Sequence, residues 1–178
     1  MSFSWEPFGR THREEPQAEP APITTPPPAP APAALRREPR LGLAVLTCMD
    51  CRIDVFAALG LHLGEAHVIR NAGGRVTDDV LRSLALATHV LGVETVVVMQ
   101  HTSCGLAGVT DDELRRRTGA DLGFFPIDDH AAALNEDIDL LTTKDYLSPL
   151  QVIAGFVYDV ETGGLDAVVR WERGSSAA

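Results

Sequence analysis

The sequence predicts an α/β fold: a mostly parallel β-sheet flanked by helices, closed by a C-terminal β-hairpin. Three observations carry this expectation. From about residue 41, short apolar runs alternate with segments whose apolar residues recur at helical spacing, the signature of strands and helices in turn. Two of the runs, Leu43-Ala44-Val45-Leu46 and Val96-Val97-Val98-Met99, lead straight into polar stretches rich in reactive side chains. In an open parallel sheet the carboxyl ends of neighbouring strands share one crevice, where ligands bind. Finally, residues 152–158 and 165–169 flank the turn Glu161-Thr162-Gly163-Gly164, which reads as a hairpin.

Taken in order, residues 43–47 form the first strand, and residues 53–59 a short helix ended by Gly60. Residues 66–69 form the second strand, followed by the tight glycine loop Arg70-Asn71-Ala72-Gly73-Gly74. Thr77 stands where a helix N-cap is expected, and Asp78 and Asp79 fall in the first turn, where carboxylates suit the helix dipole. Val80, Leu84, Ala87 and Leu91 continue that helix to Gly92. Residues 93–100 form the third strand. Thr110-Asp111-Asp112-Glu113 is a capping box opening a short helix that Gly119 closes. Asp128 or Asp129 caps a further helix with the apolar face Leu134, Ile138 and Leu141.

Ahead of this lies a different composition. Residues 1–40 hold ten of the twelve prolines, and the run Pro26-Pro27-Pro28-Ala29-Pro30-Ala31-Pro32 predicts an extended, polyproline-like tail too poor in apolar side chains to order itself. Residues 41–173 are the expected folded domain. The formal net charge is −10, and the acidic excess lies entirely after residue 40, which disfavours nucleic acid and anionic membrane as partners. No apolar run approaches the roughly 20 residues of a membrane helix. The first residues lack a basic start and an apolar core, so no secretory signal is expected and the predicted location is cytoplasmic. Three cysteines cannot all pair with one another, and in a reducing compartment they read as metal ligands or redox groups.

Single cysteines and histidines are usually structural, and His62, His67, His89 and His130 are read that way. Cys48 and His101-x-x-Cys104 differ, because both clusters lie at strand ends among polar neighbours. Two thiolates and an imidazole favour zinc, and three protein ligands leave a fourth position for water. Asp50 and Arg52 read either as an ion pair at a strand end or as a carboxylate held beside the metal by a planar guanidinium fork. On the second reading Asp50 accepts a hydrogen bond from the water, or swings onto the metal as a fourth ligand and blocks the site.

Together, Cys48-x-Asp50-x-Arg52, Arg70-Asn71-Ala72-Gly73 and His101-x-x-Cys104-Gly105 resemble the β-class carbonic anhydrases in order and spacing. The resemblance runs from about Leu43 to Trp171. It is strongest to the short bacterial branch, whose end is similar to Gly155-Phe156-Val157-Tyr158-Asp159-Val160 with Thr162-Gly163 behind it. It implies one zinc ion per chain bound by Cys48, His101 and Cys104, a catalytic dyad of Asp50 and Arg52, and substrate contacts at Gly73 and Gly105. The implied activity of this zinc-dependent domain is reversible hydration of carbon dioxide to bicarbonate by zinc-bound hydroxide. The implied assembly is a homodimer or higher homo-oligomer, with the helix after Thr77 helping to build the dimer. Two positions depart from the family pattern: no Gln precedes Cys48 within residues 38–47, where many members use one to contact bicarbonate, and Cys51 stands where Ser is common.

Three other functions compete. A related hydrolase acting on carbonyl sulfide or carbon disulfide would use the same fold and metal. A redox protein would use Cys48-x-x-Cys51 between strand and helix, but would leave His101 and Cys104 without a role. A closed Cys₃His site that includes Cys51 would hold zinc without a position for water.

Overall fold

The computed structural model describes residues 31–175. The proline-rich tail expected ahead of residue 41 falls mostly outside them. Five strands form one sheet in the order β2-β1-β3-β4-β5. These are β1 (Leu43–Cys48), β2 (Ala66–Asn71), β3 (Thr95–His101), β4 (Val152–Tyr158) and β5 (Leu165–Glu172). The first four are parallel; only β5 runs antiparallel, as the second arm of the closing hairpin. This is the mostly parallel sheet with a C-terminal hairpin that the sequence predicts.

Among the described residues four α-helices connect the strands, α1 (Val55–Leu59), α2 (Asp78–Val90), α3 (Asp111–Thr118) and α4 (His130–Thr142), and α2 and α4 pack on the sheet. In the central strands successive side chains serve opposite faces of the sheet. Ala44 and Leu46 of β1 and Val96 and Val98 of β3 join Val80, Leu84 and Ala87 of α2 and Leu134, Ile138 and Leu141 of α4 in one core. Val45 and Met99 join Ile53, Val55, Leu106 and Ile127 in the other, which also contains Cys48 and Cys104. Burial on both faces explains why β1 and β3 read as continuous apolar runs.

Several boundaries differ from the sequence reading. The first helix begins at Val55 rather than Ile53, because the Asp54 carboxylate caps it by accepting from the Ala57 amide at 3.1 Å. Ile53 is buried as the end of a turn instead. β3 begins at Thr95 and includes His101, and β5 continues to Glu172. Thr77 occupies the N-cap of α2, but its side chain makes no capping bond. Thr110 does cap α3, accepting from Glu113 N at 3.2 Å, and Asp129 rather than Asp128 caps α4, accepting from Ala132 N at 2.8 Å.

The chain is also anchored before residue 41. Pro39 is buried, the Leu35 side chain lies against Gly64, and the amides of Arg40 and Leu41 donate to the carbonyls of Gly64 and Glu65. The Arg40 guanidinium also pairs with the Glu65 carboxylate.

The sheet order sets the place of the site. From β1 the chain passes to β2 on one side, and β3 lies on the other, so strand order reverses at β1. The crevice at such a switch point opens between the carboxyl ends of β1 and β3. Those ends are Cys48 and His101.

Candidate metal centre and active site

Cys48 and His101 are the last residues of two adjacent parallel strands, and Cys104 follows three residues later in a loop turned back on itself at Ser103, whose φ is +56°. The donor atoms of Cys48, His101 and Cys104 lie within 4.8 Å of one another, and all three residues are buried. Cys51 does not join this cluster; it is an exposed free thiol in the turn before α1. The closed Cys₃His set and the paired Cys-x-x-Cys weighed from the sequence are therefore not the arrangement formed.

The imidazole is oriented from behind. His101 Nδ1–H donates to the Thr102 carbonyl at 2.9 Å, which leaves the Nε2 lone pair facing the thiols. Nε2 is fully buried and has no hydrogen-bond partner among the described residues. An unpartnered buried nitrogen beside two sulfurs is costly unless a cation completes it, so the residues present fit a metal ion. Burial holds the His101 pKa below its usual value, which keeps the imidazole neutral and able to donate its lone pair. Burial pushes the Cys104 thiol up, opposed by a hydrogen bond from the Leu106 amide. A divalent cation would offset the cost of that buried thiolate charge.

Asp50 is gripped by Arg52. Arg52 Nε donates to Oδ1 at 2.9 Å and Nη2 to Oδ2 at 2.7 Å, while the Arg52 amide adds a third bond to Oδ1 at 3.0 Å. These bonds hold the Asp50 carboxyl well below the usual carboxylate range, so it stays charged. The same Nη2 also donates to the Ser103 carbonyl at 3.0 Å, tying the loop after β1 to the loop after β3. Asp50 Oδ2 stands 3.8 Å from His101 Nε2.

A cavity of about 260 Å³ opens at this point, lined by Cys48, Met49, Asp50, Ala72, Gly73, Cys104, Gly105 and Leu106. Both glycines expected at the substrate site are on its wall. The neighbouring Gly74 explains why the loop is glycine-rich: at φ +64°, a Cβ there would lie 2.9 Å from Cys48 N and from the Thr47 carbonyl carbon, both backbone atoms that cannot yield. The hairpin supports the other loop. Thr102 N donates to the Tyr158 carbonyl at 2.9 Å, and Val160 N donates to Thr102 Oγ1 at 3.1 Å. The tail-end motif of the sequence thus braces the His101–Cys104 segment.

Residues 43–125 match the family model described as carbonic anhydrase. Beta-carbonic anhydrase 1 of Mycobacterium tuberculosis is 38% identical over 136 residues, covering 73% of this chain and 83% of its own length. The chain belongs to the β-carbonic anhydrase family. A solved carbonic anhydrase from Streptococcus mutans superposes with a TM-score of 0.69 at 42% identity, covering 74% of this chain and 84% of that one. A carbon disulfide hydrolase of Acidithiobacillus thiooxidans is also a relative, 34% identical over 149 residues and covering 69% of this chain and 75% of its own length. Zinc is the cofactor of β-carbonic anhydrases, and the Cys₂His donor set formed here suits it.

Sequence reasoning missed two groups that shape this site. Arg70 stood out only as part of a motif, yet its guanidinium reaches three carbonyls of the Cys48–Ile53 turn. Arg75 and Asp137 form a buried pair behind the glycine loop, 2.8 Å apart, which also takes in Asn71 through its bonds to the Arg75 backbone. The available signal for Asp137 was a carboxylate three residues after Leu134, on the helix face that packs inward.

Proposed function

We propose that this chain catalyses the reversible hydration of carbon dioxide to bicarbonate, with one zinc ion held by Cys48, His101 and Cys104 and with Asp50 and Arg52 as the catalytic dyad. The observation that carries this reading is a charged carboxylate oxygen 3.8 Å from an unpartnered, buried imidazole nitrogen that faces two thiols. Bound zinc supplies the nucleophile by lowering the pKa of a water toward neutrality. Asp50, being ionised, accepts a hydrogen bond and donates none, so it fixes the orientation of the reacting water. Arg52 keeps that carboxylate in the fork and away from the metal position, where it would otherwise take the place of water.

Gly73 and Gly105 line the cavity that would take a small, linear, neutral substrate, and the family resemblance implies that the Gly105 amide donates to a substrate oxygen. In the balanced reaction the water oxygen bonds to the carbon of carbon dioxide, and one proton leaves to solvent. The same pocket chemistry suits carbon disulfide or carbonyl sulfide, so sulfide release is assayed on the same zinc-loaded sample; sulfide release without carbon dioxide hydration would replace this function by the hydrolase.

The chain works as a homodimer or higher homo-oligomer. Leu86 and Val90 of α2 support this as apolar side chains more than half exposed on the helix that the family resemblance implies would help build the dimer. No helix among the described residues is long and apolar enough to cross a membrane. The free thiols suit a reducing compartment, and we place the protein in the cytoplasm.

Asp50→Asn is the direct test of the dyad. The amide keeps the shape but loses the charge that Arg52 grips, so zinc stays at one per chain while kcat/KM for carbon dioxide falls by roughly 10- to 100-fold. Because Asp50 stays charged through the neutral range, wild-type activity is expected to rise with pH only as the reacting water ionises. Stopped-flow hydration across the neutral range reads both effects; near-wild-type activity in Asp50→Asn would remove the dyad from the mechanism.

The tail is dispensable for catalysis, and the functional domain starts at the anchored segment rather than at β1. A chain beginning at Leu35 retains zinc and activity, whereas one beginning at Gly42 loses the Leu35, Pro39 and Arg40 contacts and melts at a lower temperature. Loss of dimerisation in the Leu35 form, seen by sedimentation, would mean that residues 1–34 hold the partner subunit.

A further inference from the structure

We infer that Arg70 is a positioning residue that sets the aim of both the Cys48 thiolate and the Asp50 carboxylate. The inference rests on Cys48, His101 and Cys104 being the metal ligands, and deepens that reading. The turn at stake runs from Cys48 to Ile53. It has few restraints of its own: Met49 is 68% exposed, Cys51 and Arg52 are exposed, and its backbone bonds are Met49 N to the Asn71 carbonyl at 2.8 Å and Ile53 N to the Asp50 carbonyl at 3.2 Å. Yet it carries one metal donor and the residue that orients the water.

Arg70 lies on the neighbouring strand β2, paired in the ladder with Thr47, just ahead of the turn. All three of its guanidinium nitrogens donate to this one segment. Nε reaches the Cys48 carbonyl at 3.0 Å, Nη2 the Asp50 carbonyl at 2.6 Å and Nη1 the Ile53 carbonyl at 3.2 Å. Two of these acceptors belong to the donor residue and the dyad residue themselves, so fixing the carbonyls fixes the peptide planes from which both side chains leave. Among the described residues no carboxylate lies within ion-pair distance of Arg70, so its charge is spent on backbone dipoles alone. Asp50 is thereby held twice, its backbone by Arg70 and its carboxylate by Arg52.

A planar fork is required for this. The three carbonyls are spread along the turn from Cys48 to Ile53, and a lysine ammonium, with its donors on one atom, cannot span them. Geometry rather than charge is the property that Arg70 supplies.

The test uses full-length wild type, Arg70→Met, Arg70→Lys, Asp50→Asn and the doubles Arg70→Met/Asp50→Asn and Arg70→Lys/Asp50→Asn. Zinc affinity is read by chelator competition, and kcat/KM is expressed per bound zinc. Both Arg70 variants are expected to bind zinc about 10- to 100-fold more weakly, the usual effect of losing a group that orients a metal ligand. Their kcat/KM per zinc should fall about tenfold or more when Asp50 is intact, and hardly at all when Asp50→Asn is already present, because the loss acts through the Asp50 carboxylate. Wild-type zinc affinity in both variants would overturn the inference, as would full rescue by Arg70→Lys, which would make charge the relevant property. Equal activity losses in the presence and absence of the Asp50 carboxylate would also overturn it, by showing general loosening. Circular dichroism checks folding, and if Arg70→Met does not fold, the Arg70→Lys cycle decides alone. The chelator measurement involves no substrate, so a wild type that binds zinc but hydrates no carbon dioxide would sink the proposed function and leave this inference to be judged on the metal.

Discussion

Cys104→Ser is expected to yield a folded chain that has lost its zinc and hydrates carbon dioxide at the uncatalysed rate, while Cys51→Ser keeps one zinc and most of the activity. The contrast follows from position. Cys104 is buried, its sulfur shares a 4.8 Å cluster with Cys48 and His101, and a serine oxygen is a poor replacement for a thiolate donor to zinc. Cys51 is an exposed thiol outside that cluster, so its loss removes no donor. Cys48→Ser should match Cys104→Ser. Metal content by mass spectrometry and X-ray absorption at the zinc edge read the outcome: two sulfurs per zinc in wild type and in Cys51→Ser, with little zinc in the other two. Three sulfurs in wild type, with no exchangeable water, would mean that Cys51 closes the site and that the chain is no hydratase.

The site was legible in the sequence because its spacing is local and its placement follows a rule of the fold. Cys48 and His101 each end an apolar run, and neighbouring parallel strands bring such ends together, so the sequence needed no long-range contact prediction to pair them. Cys104 comes with His101 across two residues of loop, Thr102 and Ser103. What stayed hidden were contacts whose partners are remote in the chain and ordinary in type. Arg70 donates to backbone carbonyls, and any residue offers those, so nothing in residues 48–53 advertises the clamp. The start of α1 is set not by the apolar Ile53 but by the Asp54 cap one residue later. The anchored segment from Leu35 to Leu41 was hidden by its proline-rich surroundings, although Pro39 itself is buried. Asp137 is hidden because Leu134, Ile138 and Leu141 by themselves account for the inward face of α4.

Asp137 carries the largest expected effect on stability. Its carboxylate accepts from Arg75 Nε at 2.8 Å and from the Val76 amide at 3.1 Å, with side chains only 4% and 6% exposed for Asp137 and Arg75. Arg75 also donates to the Phe125 and Pro126 carbonyls, and to Glu136, which is largely exposed. Burial pushes the Asp137 carboxyl up, against the pull of Arg75 and the Val76 amide. Removing the carboxylate leaves a guanidinium inside the protein without its buried counter-charge, and breaking such a pair costs about 3–5 kcal/mol. For a domain of this size, Asp137→Ala should therefore lower the melting temperature by on the order of 10 °C. Replacing both partners, Arg75→Met with Asp137→Leu, removes the stranded charge and should recover most of that loss. The consequence reaches the active site, because Arg75 follows Gly73 and Gly74 directly and Asn71 brackets the loop by bonding the Arg75 amide and carbonyl at 3.1 and 2.7 Å. Asp137→Ala should thus also weaken zinc binding at temperatures well below its melting point. Thermal denaturation of the single and double variants, followed by chelator competition at a temperature where each is folded, separates the two effects. A single variant within about 0.5 kcal/mol of wild type, the ordinary size of a surface change away from such features, would show that water or Glu136 compensates Arg75 and that the pair does not hold the glycine loop in place.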